Sequence, residues 1–372
     1  MPDIGPIPLL PPSLKEAVEK ARLVVFVGAG VSRILGCAGW DDLARNLVKA
    51  CNEAEYINFK EMESLTRESD HRKSISICYH IMVEDNKNPG LFYEHLERAL
   101  QGDEELAKRY PIYDELHKLG AIYVTTNADE LFDKLFIDQA SICLADDFPD
   151  DSLDRTKLYH LHGKVTERSS LAFTVDQYIK RYSSLRIQAF LKKLFERYTI
   201  LFVGYGLAEL QLLEYLVLSN NKHTDEVRHY FLMPMFRGEE HLFEFQKDYY
   251  KKFGIGVIAY DITELGHNQL YKVVKDWQTR VLFALPLGHL YTTSRKRSAR
   301  LRLNGFGGFG NRLVVGLKRR LPLTARSPLT RICEKGRTSW RAMCSQSVNA
   351  VRIWAALAGV CPPSASWGLK WL

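Results

Sequence analysis

Short apolar runs alternate with amphipathic segments along most of the chain. Several runs are rich in β-branched and aromatic residues and predict buried strands, at residues 23–27, 121–125, 157–161, 171–174, 199–203, 229–233 and 255–260. Apolar positions spaced three or four residues apart predict helices, among them residues 13–22, 130–136, 185–198 and 209–218. This alternation predicts an α/β fold with a doubly wound, mainly parallel Rossmann-like sheet, in which residues 23–27 form the central strand.

A long helical stretch separates the first two predicted strands. Apolar residues recur there at helical spacing, as in Trp40, Leu43, Leu47, Val48 and Cys51 and in residues 75–83, 91–100 and 113–119. We therefore predict a helical insertion at residues 41–119. From its position we expect it to pack over the ligand end of the sheet, as a lid or a wall that faces the substrate.

Two glycines and a serine follow the first predicted strand, in the segment Gly28-Ala29-Gly30-Val31-Ser32. Glycines let a backbone turn sharply and approach a phosphate, and the N–H groups that open the next helix supply donors. The third glycine of the dinucleotide-binding pattern is missing, since Arg33 stands in its place. Taken alone, this segment fits nucleotide binding and an ordinary structural turn about equally well.

The second predicted strand ends in Thr125-Thr126-Asn127-Ala128-Asp129. An amide and a carboxylate at such a turn can hold ribose hydroxyls, because an amide both donates and accepts whereas a carboxylate accepts. The alternative is that Asn127 or Asp129 only caps the following helix.

Two further strand ends carry polar or glycine-rich turns. In His160-Leu161-His162-Gly163, we expect Gly163 to open space for a substrate beside His162. A histidine there can take a proton near neutral pH, or it can be a hydrogen-bonded structural residue, which is the role we expect for His160. The strand at residues 199–203 continues into Gly204-Tyr205-Gly206, where the glycines either approach the same ligand or serve only the turn.

The order GAGVS, TTNAD, HLHG and VGYG resembles the sirtuin-like family. It is more similar to the divergent bacterial branch of antiphage-defence NAD hydrolases, which share GAG-x-S, TTN-x-D, LHG and a later VGY motif. The resemblance spans about residues 21–262 and excludes the C-terminal tail.

This resemblance implies that NAD is the substrate and that particular residues hold it. The NAD-binding residues that it implies are Gly28, Ala29, Gly30, Ser32, Asp129 and Gly204. Gly204 would line the adenosine side, and Asp129 would assist the ribose. The catalytic residues would be Asn127, which positions the nicotinamide ribose or the attacking water, and His162, which is the general base.

Several departures bear on the reaction. Sirtuin deacylases have Thr-Gln-Asn where Thr125-Thr126-Asn127 stands, and a Phe-Arg pair where this chain has Gly39-Trp40-Asp41. They also have a zinc module of four cysteines, whereas the seven cysteines here include no C-x-x-C, so we expect no zinc and no other metal site. We expect hydrolysis of NAD to nicotinamide and ADP-ribose. The alternatives are an NAD-dependent protein deacylase and a non-catalytic module that senses NAD or ADP-ribose.

A permanently active NAD hydrolase would empty its cell of NAD, so we expect control by assembly or by a partner. The resemblance implies a role in bacterial defence against phage, a homo-oligomer and, in some systems, an ATPase or helicase-like or Argonaute-like partner protein.

Composition changes abruptly near the C-terminus. Residues 291–372 contain 16 lysines and arginines and one acidic residue, although the whole chain has a net charge of only +7. We predict a sirtuin-like NAD-binding domain at residues 1–287 and an irregular basic tail at residues 288–372, which is disordered or aberrant. Contact with nucleic acid through phosphates is the alternative role for that tail.

Nothing in the apolar pattern predicts a membrane or secreted protein. No apolar run reaches the roughly 18 residues that span a bilayer, and the proline-rich start lacks the features of a secretion signal. We therefore expect a cytoplasmic protein without membrane contact.

Overall fold

A computed structural model describes residues 4–136, 138–149, 152–205 and 227–284. The strands found in these residues are β1 (Leu23–Val27), β2 (Ile122–Thr125), β3 (Ile142–Leu144), β4 (Leu158–His160), β5 (Thr199–Val203), β6 (His229–Met235) and β7 (Ile255–Asp261). They form one sheet in the order β3-β4-β2-β1-β5-β6-β7, and every pairing is parallel. The predicted α/β fold with a parallel sheet is confirmed, and β1 is its central strand.

Helices precede, interrupt and follow the strands of this sheet. In chain order they are α1 (Pro12–Glu19), α2 (Ala29–Ile34), α3 (Trp40–Glu53), α4 (Phe59–Thr66), α5 (His71–Tyr79), α6 (Pro89–Leu100), α7 (Glu104–Arg109), α8 (Ile112–Lys118), α9 (Val175–Ser183), α10 (Leu185–Arg197), α11 (Glu240–Lys251) and α12 (Gln269–Ala284). A π-helical turn at His80–Glu84 extends α5. None of the described helices is both long and apolar enough to cross a membrane.

The two faces of β1 belong to two different core layers. Leu23, Val25 and Val27 pack in one layer with α1, α8 and α12. Val24 and Phe26 pack in the other layer with α9, α10 and α11. Alternate residues of a strand point to opposite faces, so a continuous apolar run is what a strand covered on both sides requires.

The segment between β1 and β2 is helical, as predicted. Its helices α3, α5 and α6 enclose a separate core in which Leu47, Ile75 and Leu96 are completely buried. This core also includes Ala128, from the loop after β2, and Phe173. The insertion is therefore packed against the loops at the ends of the strands.

Residues 171–174 do not form the predicted strand. Leu171 and Phe173 pack in the core of the insertion, and the N–H group of Ala172 donates to the carbonyl of His162 at 3.0 Å. The Thr174 side chain accepts from the N–H of Gln177 and caps α9. The apolar run is buried as a connecting segment because it lies against the insertion instead of the sheet.

The predicted helix at residues 130–136 is also wrong, since only a 3-10 turn forms at Asp133–Leu135. The Asp129 carboxylate accepts from the N–H of Leu131, and the ring of Phe132 stacks on Tyr113. These contacts favour an irregular backbone over a helix.

Strand β3 is missed because it is three residues long and half-buried, which leaves little periodic signal. The helix predicted at residues 209–218, Gly206 and the tail at residues 288–372 lie outside the described residues.

Candidate functional site

Four loops leave the sheet at one edge. In the parallel register Val27 pairs with Thr125 and with Val203, and Thr125 pairs with His160. Strands β1, β2, β4 and β5 therefore end at the same level, and ligands of such sheets bind beyond the carboxyl ends of the strands. The fold brings together the segments GAGVS, TTNAD and HLHG and the first residues of VGYG, although they are far apart in the sequence.

Gly28, Gly30 and Gly204 hold two of these loops against each other. The N–H of Gly30 donates to the carbonyl of Gly204 at 2.7 Å. A Cβ on Gly28 or Gly30 would lie 2.7 Å from that carbonyl oxygen, and a Cβ on Gly204, whose φ is +62°, would lie 2.5 Å from the nitrogen of Val31. The close approach of two backbones is therefore the reason why these three positions need glycine.

A cavity of about 390 Å³, which we call the glycine-loop cavity, lies beside these residues. Its wall includes Gly28, Ala29, Gly30 and Gly204 from the strand ends, and Trp40, Asp70, His71 and Arg72 from the insertion. The volume lies within the range of roughly 300–1,000 Å³ that is typical of ligand pockets. The insertion thus supplies part of the wall at the ligand end of the sheet.

A smaller cavity of about 50 Å³, the amide cavity, adjoins the first one. Ala29, Gly39 and Trp40 line both cavities. Ser32, Thr126, Asn127 and Asp129 line only the amide cavity. The sequence-predicted binding residues are therefore divided between two adjoining spaces.

The side chain of Asn127 is anchored on one side. Its Nδ2 donates to the carbonyl oxygen of Gly28 at 3.1 Å, to Oγ of Ser32 at 2.9 Å and towards the hydroxyl of Tyr113 at 3.2 Å. The Gly28 carbonyl only accepts, so the nitrogen and not the oxygen must face it. Asn127 is 6% exposed, and its Oδ1 is buried without a hydrogen-bond partner among the described residues. A buried acceptor without a partner is unfavourable, so this oxygen favours a ligand that donates.

Ser32 joins the amide to a buried carboxylate. Its hydroxyl donates to Oδ2 of Asp129 at 2.6 Å and lies 2.7 Å from the hydroxyl of Tyr113. Since the serine proton goes to Asp129, the tyrosine must be the donor to Ser32. Burial raises the pKa of Asp129 above its usual value, although the hydrogen bonds from Ser32 and from the N–H of Leu131 act in the opposite direction. Ser32 and Asp129 thus orient Asn127 and also line the amide cavity.

His162 lies in the same region but not in the wall of either cavity. It is 1% exposed, its Nε2 lies 2.9 Å from the hydroxyl of Tyr182, and its Nδ1 lies 3.3 Å from the hydroxyl of Tyr178. Burial, together with the charges of Arg181 and Arg72, lowers its pKa to about 3, although a hydrogen bond to the Thr126 backbone acts in the opposite direction. The imidazole is therefore neutral at pH 7. The space expected beside it is filled, because Ser170 packs against Gly163.

Tyr178 connects His162 to the glycine-loop cavity. Its ring lies 4.7 Å from the imidazole and 6.4 Å from the ring of Trp40, and Tyr178 itself lines the cavity. Tyr178 therefore contacts both the imidazole of His162 and the glycine-loop cavity.

His160 fixes the backbone of the Asn127 loop. Its Nδ1 lies 3.2 Å from the carbonyl oxygens of Asn127 and of Gly163, and its Nε2 lies 2.9 Å from Oδ1 of Asp133. The side chain is completely buried. These contacts give His160 the structural position that its sequence context predicts. Among the described residues no three His, Cys, Asp or Glu side chains are placed to share a metal ion.

Sequence reasoning missed several residues of this site. Tyr113 and Arg72 lie in the predicted helical insertion, where no role at the site was assigned to them, and Tyr178 lies in a helix that was not predicted. One signal was available for the tyrosines, because a tyrosine on the buried face of a helix needs a partner for its hydroxyl. Nothing in the local sequence of Arg72 indicates that it lines a cavity.

A known protein family matches part of the chain. The sequence model of the family described as SIR2-like domain matches residues 121–258. A SIR2-like domain covers this part of the chain. No curated protein matches the chain.

The SIR2-like domain includes the loops of Asn127, His162 and Gly204 and suggests an NAD-related activity. The matched residues do not include the first glycine loop, at residues 28–32. That loop is nevertheless part of the same edge, since β1 lies between β2 and β5 and Gly30 bonds to Gly204.

Proposed function

We propose that this protein binds NAD at the glycine loops and hydrolyses it to nicotinamide and ADP-ribose. The observation that carries the proposal is the geometry of Asn127, whose amide nitrogen is fixed and whose buried oxygen needs a donor. A water molecule or a ribose hydroxyl supplies such a donor. The family match over residues 121–258 supports NAD as the nucleotide.

The glycine-loop cavity suits the pyrophosphate and adenosine of NAD. Gly28, Ala29, Gly30 and Gly204 line it, and Arg33, His71, Arg72 and His267 bring basic groups to its wall. The positive charge of the two arginines favours a phosphate, whereas the N–H groups of Gly28 and Gly30 already donate to the carbonyls of Val203 and Gly204. Ser32 and Asp129 lie in the adjoining amide cavity, where they would hold the ribose next to nicotinamide.

Hydrolysis of NAD breaks the bond between nicotinamide and C1′ of the ribose. Nicotinamide leaves from a cationic state and needs no acid, while positive charge develops on the sugar. The protein therefore contributes position and a proton acceptor. In our proposal Asn127 Oδ1 accepts from the attacking water or from a ribose hydroxyl, and Asp129 acts through Ser32.

His162 is the proton acceptor in this proposal, and Tyr178 is its link to the cavity. A general base contributes about 10²–10⁴-fold to a rate. In the free protein burial is the main cause of the low pKa of His162, and the charges of Arg181 and Arg72 add to it. An anionic dinucleotide beside Arg72 offsets that charge and makes the imidazole a better base.

The test is NAD consumption by purified full-length protein, with nicotinamide and ADP-ribose separated by chromatography. We expect Asn127→Ala and His162→Ala to lose most turnover while Asn46→Ala, an exposed asparagine of α3, retains it. Circular dichroism and thermal unfolding show whether each variant is folded. Undiminished turnover in both site variants would refute the assignments.

We further propose that the activity serves defence against phage by NAD depletion and is controlled by assembly or a partner. The resemblance of the four motifs to defence NAD hydrolases supports this role, and the cost of uncontrolled NAD loss supports the control. Light scattering of the purified protein, together with NAD measurements in infected cells that carry wild type or Asn127→Ala, tests it. Equal NAD levels in the two strains would contradict the defence role.

A further inference from the structure

The wall of the glycine-loop cavity has an excess of basic side chains. Among the described residues that line it, Arg33, His71, Arg72 and His267 are basic, and Asp70 is the single acidic residue. Oδ1 of Asp70 accepts from the N–H groups of Arg72 and Lys73 and caps α5. The carboxylate is therefore held by the backbone of its own helix, and among the described lining residues the two arginines outnumber the single carboxylate.

Arg33 reaches the cavity from the sheet side. It follows the glycine loop in α2, and a Cβ on Gly39 would lie 3.0 Å from Cζ of Arg33. Gly39 thus leaves room for the guanidinium to lie along the wall. Arg33 is exposed and forms no ion pair with a carboxylate of the described residues.

Arg72 reaches the same cavity from the insertion. Its Cζ lies 5.3 Å from the centre of the Tyr178 ring, and the side chain is half-buried. A cation over an aromatic face is held in a defined position. Arg72 and Arg33 therefore come from two different elements, α5 and α2, and meet one cavity.

We propose that Arg33 and Arg72, which come from two different helices of its wall, bind the phosphates of a dinucleotide in the glycine-loop cavity. The inference rests on the proposed function and names the groups that recognise the pyrophosphate. A guanidinium suits this task because its planar donors match the oxygens of a phosphate and because it always carries a charge. The helical insertion thus supplies part of the nucleotide-binding site in addition to covering it.

Calorimetric binding to full-length protein tests the inference with two probes, ADP-ribose and adenosine. ADP-ribose carries the pyrophosphate and is not consumed, whereas adenosine has no phosphate. We expect Arg33→Gln and Arg72→Gln each to weaken ADP-ribose binding about tenfold, which corresponds to about 1.4 kcal/mol, because each variant loses a charged donor to the phosphates. Adenosine binding should be unchanged.

Two further variants sharpen the test. Lys73→Gln removes a neighbouring charge that pairs with Glu68 and does not line the cavity, so it should bind ADP-ribose as wild type does. Arg72→Lys keeps the charge but not the planar fork, so it should recover part of the lost affinity.

The outcomes separate this inference from the proposed function. Wild type that binds ADP-ribose, with both arginine variants binding it equally well, overturns the phosphate role and leaves NAD hydrolysis untouched. Equal losses of ADP-ribose and adenosine binding in folded variants also overturn it, because the arginines would then support only the shape of the cavity. Wild type that binds neither ADP-ribose nor NAD overturns both proposals.

Discussion

Nδ2 of Asn127 lies 2.9 Å from Oγ of Ser32, although the two residues are 95 positions apart. The contact joins the loop after β2 to the helix after β1. It also fixes the direction of the amide, so that the oxygen of Asn127 and not its nitrogen is left to meet a ligand.

The direction of this amide gives the first prediction. Asn127→Asp has nearly the same shape but replaces the donor with a second acceptor beside the Gly28 carbonyl and near Asp129. We expect NAD turnover to fall by about 10²-fold, the loss seen when one preorganised hydrogen-bonding group is removed. Nicotinamide release under saturating NAD is the measurement. Turnover within twofold of wild type, in a folded variant, would contradict the role of the amide.

The hydroxyl of Tyr113 gives the second prediction. Tyr113→Phe keeps the ring stacked on Phe132 but removes the donor to Ser32 and an acceptor for Asn127. We expect the free energy of unfolding to fall by about 1 kcal/mol, the typical net contribution of a hydrogen bond, and NAD turnover to fall about tenfold. Urea unfolding and the rate of nicotinamide release are measured on the same sample. Tyr110→Phe, a half-buried tyrosine that packs on Tyr271, is the control.

The contact between Tyr178 and His162 gives the third prediction. Tyr178→Phe keeps the ring in the cavity wall and removes the hydroxyl that lies 3.3 Å from Nδ1 of His162. We expect the rate of hydrolysis to fall about tenfold or more while ADP-ribose binds as before, because the lost group transfers a proton and does not hold the nucleotide. An unchanged rate would show that His162 does not act through this hydroxyl.

Acid sensitivity gives the fourth prediction. Burial lowers the pKa of His162 to about 3 and that of His229 to about 3, so both are neutral in the folded protein at pH 5. The unfolded chain binds a proton at each of them below about pH 6.5, and unfolding is therefore favoured as the pH falls through that value. We expect each histidine to lower the free energy of unfolding by about 2 kcal/mol between pH 7 and pH 5.

Urea unfolding at pH 7 and pH 5 measures this difference. His229 lines neither cavity, so His229→Phe separates the two contributions and should reduce the pH dependence of the free energy of unfolding by about 2 kcal/mol. The variant also loses the acceptor for the N–H of Ile200, so only the difference between the two pH values is compared. If the difference in the free energy of unfolding between pH 7 and pH 5 is the same in His229→Phe and wild type, His229 does not take up a proton on unfolding.

The packing of the glycine loops gives the fifth prediction. Gly204→Ala places a Cβ 2.5 Å from the nitrogen of Val31, at a φ of +62°. Gly266→Ala is a matched control, because its φ is +56° and nothing lies within 4 Å of the added Cβ. We expect Gly266→Ala to lower the free energy of unfolding by about 1 kcal/mol, because alanine is strained in a left-handed conformation. Gly204→Ala should lower the free energy of unfolding, measured by thermal unfolding, by at least about 3 kcal/mol, since the two closely packed backbones must also move apart.

Local pattern was enough to predict most of the sheet. Residues 23–27 and residues 199–203 read as buried strands because their apolar runs are continuous, and both are strands in the structure. The same signal was misleading at residues 171–174, where an equally apolar run is buried against the insertion. An apolar run predicts that a segment is buried, but it does not predict which part of the protein covers that segment.

Local patterns in the sequence were sufficient to predict the α/β architecture, the helical insertion and the strand ends at which Asn127, His162 and the glycine loops lie. Three features of the site follow from packing alone. Tyr113 and Ser32 orient the amide, Tyr178 lies between His162 and the glycine-loop cavity, and Arg72 reaches that cavity from the insertion. Periodicity and turn residues act over a few positions of the chain. Contacts at the site join residues that lie far apart in the chain, such as Gly30 and Gly204, and only the packing of whole layers sets them.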